Sequence, residues 1–364
     1  MSALFEPITL RSLTIPNRIW LSPMCMYSAA SEGPETGVAT DFHLAHLGSR
    51  AAGGAGLVMV EATGVRPDGR ISPWDLGLWN DRQQEALARV AALIRQHGSV
   101  PAIQLAHAGR KASTGRASAG GGPLAVADGG WPVVGASPLP FKDGYPTPLE
   151  LTESQIGQLV EDFASAARRA LAVGFQVVEV HGAHGYLIHQ FLSPLTNHRT
   201  DGYGGDFAGR SRLAREIATA VRAVWPADLP VLFRVSATDW VPDQPSWTVE
   251  ESVLLTKELQ AIGVDLIDVS SGGLVPSASI VAGPGYQVPF AAQIRREAGL
   301  PVGGVGLITE PAQAEKIVAD GEADVVLLGR ELLRDPYWPL HAAKALGVQR
   351  KWPAQYGYAV GDRG

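Results

Sequence analysis

The strongest constraint on this chain is a pattern that recurs eight times along its 364 residues: a short apolar, β-branched run, a loop, then an amphipathic stretch. The runs fall at 18–21, 56–61, 100–105, 176–180, 231–235, 266–269, 301–305 and 324–328, each with the length and composition of a buried strand. Helical periodicity follows at 41–52, 81–97, 152–173, 210–224, 248–262, 289–298, 311–320 and 331–346. Thr152 with Gln155 makes a capping-box pattern, and Pro311 suits a first helical position. Gly98, Gly174, Gly263 and Gly321 fall where helices should stop. Strands alternating with helices pair in parallel through right-handed crossovers. Eight such units, with no Gly-X-Gly-X-X-Gly turn after the first strand, favour closure over an open doubly wound sheet. The expected fold is α/β: a single (β/α)8 TIM barrel over 1–346, followed by a tail at 347–364.

Composition narrows the function classes. Apolar residues are 46% and charged residues 18% of the chain, enough for a large core. The balance of 30 basic against 36 acidic residues gives a net charge of −6, with no Lys/Arg run, which argues against nucleic acid or an anionic membrane as main partner. Residues 1–18 lack a basic segment leading into an apolar core, and no apolar run reaches membrane-span length, so a soluble, cytoplasmic protein is expected. Cys25 is the lone cysteine, which excludes an intrachain disulfide and a four-thiolate metal or iron–sulfur site. Two segments interrupt the alternation. The stretch 108–150 is rich in glycine and proline and too long for an ordinary βα loop, which marks it as a lid-like insertion. The stretch 272–288, with Pro284 and Tyr286, also follows a strand.

In a barrel, residues just past the strands carry the chemistry. The first strand runs into Ser22-Pro23-Met24-Cys25-Met26-Tyr27, a thiol beside a phenol. The second ends at Glu61-Ala62-Thr63, where the small Ala62 leaves room for a flat ligand, and the third at Gln104-Leu105-Ala106-His107. The fourth discharges into His181-Gly182-Ala183-His184-Gly185-Tyr186, three hydrogen-bonding groups within six residues. Taken alone, His-X-X-His is half a metal site, a ligand-holding pair, or two satisfied polar residues. Strand five carries Arg234 in an otherwise apolar run, a charge that is costly unless paired with something negative. Strands seven and eight run into Gly303-Gly304-Val305-Gly306 and Gly329-Arg330. Glycine turns at these two strands are where barrels hold phosphate on backbone amides, here with Arg330 adding charge. A phosphate site, an amide (Gln104), a buried cation (Arg234) and a thiol describe a flat, phosphorylated cofactor better than a metal.

In order along the chain, these residues resemble the Old Yellow Enzyme family of FMN-dependent ene-reductases, nearest to its cysteine-containing, thermophilic-like subgroup. The motifs are Ser22 to Tyr27, Gln104-Leu105-Ala106-His107-Ala108-Gly109-Arg110-Lys111, His181 to Leu187, and Asn197-His198-Arg199-Thr200-Asp201-Gly202-Tyr203-Gly204-Gly205. The resemblance implies tightly bound, non-covalent FMN, with Ser22, Pro23, Met24, Cys25, Ala62 and Gln104 around the ring and Arg234 at its N1/C2 edge. Gly306, Gly329 and Arg330 would hold the phosphate. It implies NADPH (or NADH) as reductant and an enone, maleimide or nitro compound as substrate, in the manner of an NADPH dehydrogenase or ene-reductase. His181 and His184 would hold the substrate carbonyl, Tyr186 would donate a proton, Cys25 would touch flavin and substrate, and Tyr27 would contact substrate.

Two departures from the family pattern stand out. Gly209 precedes Arg210 where the family commonly has asparagine. After Gln355-Tyr356 comes Gly357-Tyr358, and arginine returns only at Arg363; the resemblance implies a homodimer or homotetramer in which Tyr358 or Arg363 takes the inter-subunit place. The main alternative is a metal-dependent barrel hydrolase using His181 and His184, although strand five offers Arg234 where another ligand is needed. A flavin barrel that modifies tRNA fits the acidic balance poorly. A barrel used only for binding is the remaining reading.

Overall fold

Trp20 pairs with Leu327 on one side and Leu57 on the other, and that register closes eight parallel strands on themselves. The computed structural model describes residues 2–360. Its elements in chain order begin with the hairpin β1 (Ile8–Leu10) and β2 (Leu13–Ile15), then β3 (Ile19–Leu21), α1 (Asp41–Ala52), β4 (Leu57–Gly64), α2 (Asp81–Gln96) and β5 (Val100–Ala106). The insertion holds β6 (Val134–Gly135) and β7 (Leu149–Glu150), followed by α3 (Glu153–Ala172), β8 (Val177–Gly182), α4 (Leu187–Leu192), α5 (Phe207–Val224) and β9 (Val231–Ser236). The chain completes with α6 (Val249–Ile262), β10 (Leu266–Ser270), α7 (Val288–Ala298), β11 (Val302–Gly304), α8 (Pro311–Ala319), β12 (Val325–Leu328), α9 (Arg330–Arg334) and α10 (Trp338–Ala345). The barrel order is β3, β4, β5, β8, β9, β10, β11, β12 and back to β3. The (β/α)8 barrel expected from the alternation is the observed fold.

The period-two alternation of the strands divides the core in two. Trp20, Leu57, Met59, Val100, Ala102, Val177, Leu232, Leu266, Val325 and Leu327 form the interior cluster, which Leu10 and Ile15 of the hairpin join. Their neighbours in the strands, among them Val58, Val60, Ile103, Val178, Phe233 and Ile267, pack beneath the helices. One step further along the inward register, two residues past Ala102, Val177, Leu232 and Leu266, stand Gln104, Glu179, Arg234 and Asp268. The barrel interior thus changes from apolar to polar as it approaches its C-terminal mouth.

Local signals explain most element ends. Thr152 Oγ1 accepts from Gln155 N at 3.3 Å while Gln155 Oε1 accepts from Thr152 N at 2.9 Å, the expected capping box. Helix α5 starts at Phe207, before the expected 210, because Asp206 Oδ1 caps Gly209 N at 2.9 Å. A Cβ at Gly209 would lie 2.0 Å from Gly204 O, so the departure at this position serves a close backbone approach. The single helix expected over 331–346 is two, α9 and α10. Pro336 lies in the break, and Asp335 Oδ1 accepts from Tyr337 N at 2.9 Å there. The hairpin and α4 are too short for periodicity to reveal. In the tail, Tyr358 is exposed, and Arg363 lies outside the described residues.

Candidate active site

The polar layer is the floor of the site. Gln104 Nε2 donates to Glu179 Oε1 at 2.7 Å, and Arg234 Nε meets Asp268 Oδ2 at 2.9 Å. Asp268 is the negative partner that Arg234 requires, one strand over at the same register. Burial pushes both carboxyls up, Glu179 further because Asp268 is near, and the Arg234 guanidinium pulls both back. Arg234 Nη2 also donates to Ser22 Oγ at 3.3 Å, tying the floor to the first strand end.

The turn after β8 raises the histidines and the tyrosine above this floor. His184 has φ +59° and Gly185 φ +72°, and a Cβ at Gly185 would fall 2.3 Å from Gly273 O, so residue 185 must be glycine. A buried chain of polar groups fixes this turn. Gly185 N donates to His189 Nδ1 at 2.9 Å, which leaves the hydrogen on His189 Nε2, facing Asp239 Oδ1 at 2.9 Å. Asp239 Oδ2 accepts from Ser193 Oγ at 2.6 Å and from Trp247 N at 2.8 Å. From the other side, Lys111 Nζ donates to His184 O at 2.8 Å and Gly273 O at 2.9 Å. The His181 ring lies 5.2 Å from those of both His184 and Tyr186.

Electrostatics fix the protonation of these groups. Burial, then the Arg234 charge, pushes His181 and His184 well below the ordinary histidine range, so both rings are neutral at pH 7. Burial pushes Tyr186 well up, with Cys25 and Tyr27 adding to it, so the phenol keeps its proton. Cys25 likewise stays a thiol, raised by burial and then by Asp75 and Glu61. His184 Nε2 lies 2.7 Å from Ser270 Oγ. If that hydroxyl donates to Nε2, His184 Nδ1 carries the hydrogen; if it donates instead to Gln287 Oε1, 3.2 Å away, the tautomer reverses.

Two cavities open at the mouth. One of about 380 Å³ is lined by Ser22, Pro23, Met24, Cys25, Tyr27, Ala62, Gln104, His181, His184, Tyr186, Arg234, Gly329 and Arg330. Every one of these is a candidate from the strand ends. The second, of about 230 Å³, shares Ser22, Arg234, Gly329 and Arg330 with it and extends past Gly306. Together they form a cleft on the scale of cofactor sites, about 300–1,000 Å³.

The residues of this cleft suit FMN. At its outer end Gly306 has φ +111°, and a Cβ there would sit 3.0 Å from Gln287 Nε2, so the backbone is bare where a phosphate would approach. A Cβ at Gly329 would face Met24 Sδ at 3.4 Å. Arg330 lines both cavities and supplies positive charge. At the inner end Arg234 and Gln104 offer hydrogen-bond donors, and the buried His181 Nδ1 has no partner among the described residues. By contrast, no group of three or more His, Cys, Asp or Glu side chains among the described residues could hold a metal, so the hydrolase alternative has no further ligands for His181 and His184.

Several residues that build the site carry no role in the motif reading. Glu179 and Asp268 sit inside strand runs, and only the inward register beyond Val177 and Leu266 exposes them. Lys111 belongs to a motif without an assigned function. His189 and Asp239 come together through tertiary contact between α4 and the loop after β9, which no local spacing signals. Asp75 is buried in the loop before α2.

Comparison with known proteins bears on the family and the fold. Residues 3–349 match the model of the NADH:flavin oxidoreductase / NADH oxidase family. An NADPH dehydrogenase of Geobacillus thermodenitrificans is 48% identical over 355 residues, covering 98% of each chain. An NADPH dehydrogenase of Listeria monocytogenes serotype 4a is 49% identical over 359 residues, covering 99% of each. Among solved structures, morphinone reductase superposes with a TM-score of 0.78 at 28% identity, over 97% of this chain and 91% of its own.

Proposed function

This chain belongs to the NADH:flavin oxidoreductase / NADH oxidase family, the Old Yellow Enzyme family its motifs resemble, and on that premise we propose that it reduces the activated C=C bond of α,β-unsaturated carbonyl compounds. It is an oxidoreductase, with FMN as cofactor and NAD(P)H as reductant. Bound in this cleft, FMN would supply the hydride relay between NAD(P)H and the alkene Cβ of the second substrate. Ser22, Pro23, Met24, Cys25, Ala62, Gln104 and Arg234 would hold its ring, and Gly306, Gly329 and Arg330 its phosphate. The supporting observation is one wall of the larger cavity, where two neutral histidines stand beside a protonated phenol.

The chemistry assigned to these side chains follows from their protonation. His181 and His184, as neutral donors, hold the carbonyl oxygen and stabilise the negative charge that gathers on it. For His184 this requires the Ser270 hydroxyl to donate to Nε2, which leaves Nδ1–H for the substrate. A protonated histidine would also donate, but burial near Arg234 makes that form costly. Tyr186 Oη gives its proton to Cα as general acid. Cys25 and Tyr27 contact the substrate from the opposite side, and the insertion 108–150 covers the mouth. Enones and maleimides are the substrate class that two donors on one oxygen suit best.

Changing Tyr186 to Phe should slow alkene reduction by about 10²-fold, the usual contribution of a placed general acid, while flavin reduction by NADPH keeps its rate. Stopped-flow measurement of the two half-reactions reads this directly. Equal losses in both would contradict the proton-donor role.

A further inference from the structure

Tyr186 lines two spaces: the ligand cavity and, behind it, a small pocket of about 10 Å³ that also has Asp75, Ala62, Gly64, Gly69 and Ala106 in its wall. That volume is about what one water molecule requires. Asp75 is 1% exposed. Its oxygens accept from Ile71 N at 2.8 Å and Ser72 Oγ at 2.6 Å, neither of them a cation. Around it stand Glu61 from β4, bound to Met26 N and facing His43, and Cys25 and Tyr27 from the loop after β3. Arg70, in the β4–α2 loop that carries Asp75, is held on Pro67 O and Pro73 O and stacked between Trp79 and Trp131. Lys111 lies over the Tyr186 ring. Burial, with Glu61 adding to it, pushes the Asp75 carboxyl up to about 7 despite its hydrogen bonds.

We propose that Asp75, through one water in this pocket, hands a proton to Tyr186 Oη as Tyr186 gives its own to the substrate Cα; this rests on the Tyr186 role proposed above. The balance is simple. The Tyr186 O–H breaks as the Cα–H forms, a water O–H breaks as the Tyr186 O–H is remade, and the Asp75 carboxyl O–H breaks to restore the water. Asp75 ends as a carboxylate and recovers its proton from solvent, with no electrons moved. The physical need is clear, since an unassisted transfer would leave a phenolate in a site whose burial strongly disfavours it. Asp75 acts through Tyr186 and is a positioning residue, not one that touches substrate. The acid form is the donor, so alkene reduction should fall as pH rises through about 7.

The test is stopped-flow alkene reduction by the reduced holoenzyme, across pH and in H2O/D2O mixtures. The wild type should show the fall near neutral pH and a curved dependence on deuterium fraction, since more than one proton moves. Asp75→Asn should be about tenfold slower, level in pH there, and linear in deuterium fraction. Infrared titration should find, beside the band of Glu179 that burial also pushes up, a second carboxyl band titrating near neutral pH in the wild type that the Asp75→Asn spectrum lacks. Ser72→Ala, which removes a hydrogen bond favouring the carboxylate, should move the wild-type fall to higher pH, and it serves even where Asp75→Asn does not hold flavin. A wild-type rate with curved deuterium dependence in Asp75→Asn, or a pH fall unmoved in Ser72→Ala, would overturn the relay. Alkene reduction undiminished in Tyr186→Phe would instead remove the Tyr186 role on which it rests.

Discussion

Arg234 carries more of this site than any other single residue. It neutralises Asp268, bonds Ser22, and depresses both site histidines. Replacing it with Met leaves Asp268 fully buried and unpaired, a loss of about 3–5 kcal/mol in urea unfolding. Adding Asp268→Asn should recover much of that loss, because the uncompensated charge goes too. A single variant as stable as the wild type would contradict the pairing. The sequence makes Arg234 conspicuous, since a charge in an apolar strand demands an explanation. It does not reveal Asp268 with equal force, because only the inward register of its strand, set by the closed barrel, brings it against Arg234. Tyr186, His181, His184 and Cys25 are legible from their place at strand ends. Asp239 and His189 are not, because their meaning lies in a contact between elements distant in sequence.

At the scale of elements, the glycine turns after β11 and β12 define the phosphate end of the cleft. Gly306 sits at φ +111° with Tyr286 and Gln287 close to where a side chain would project. Gly306→Ala should therefore strain the turn by about 1–3 kcal/mol and weaken FMN binding by tenfold or more. Titrating FMN into the deflavinated variant measures this, with a melting curve to confirm that the barrel persists. An unchanged dissociation constant would mean that the cofactor phosphate lies elsewhere. Element boundaries were legible wherever a cap or a stop marked them, as at Thr152 and Gly263. The structure departs from the expected boundaries where the deciding contact is less visible: the Asp206 cap begins α5 early, and the turn at Asp335 divides the last helix.

For the molecule as a whole, the inward register runs from hydrocarbon at the hairpin-plugged end to Gln104, Glu179, Arg234 and Asp268 beneath the mouth. Stability and function thus occupy opposite ends of one barrel, as the fold's geometry favours. The eightfold alternation made this architecture readable. The insertion at 108–150 reads in the sequence as a lid-like interruption, but its contacts with Tyr186 and Arg70 depend on the closed barrel. The central claim is that this barrel carries FMN between NADPH and an activated alkene. An anaerobic absorption titration tests it most directly: stoichiometric NADPH should bleach the bound-flavin spectrum, and an enone or maleimide added next should restore it. A colourless protein that FMN cannot reconstitute, or a flavin that stays bleached when the alkene is added, would contradict the account.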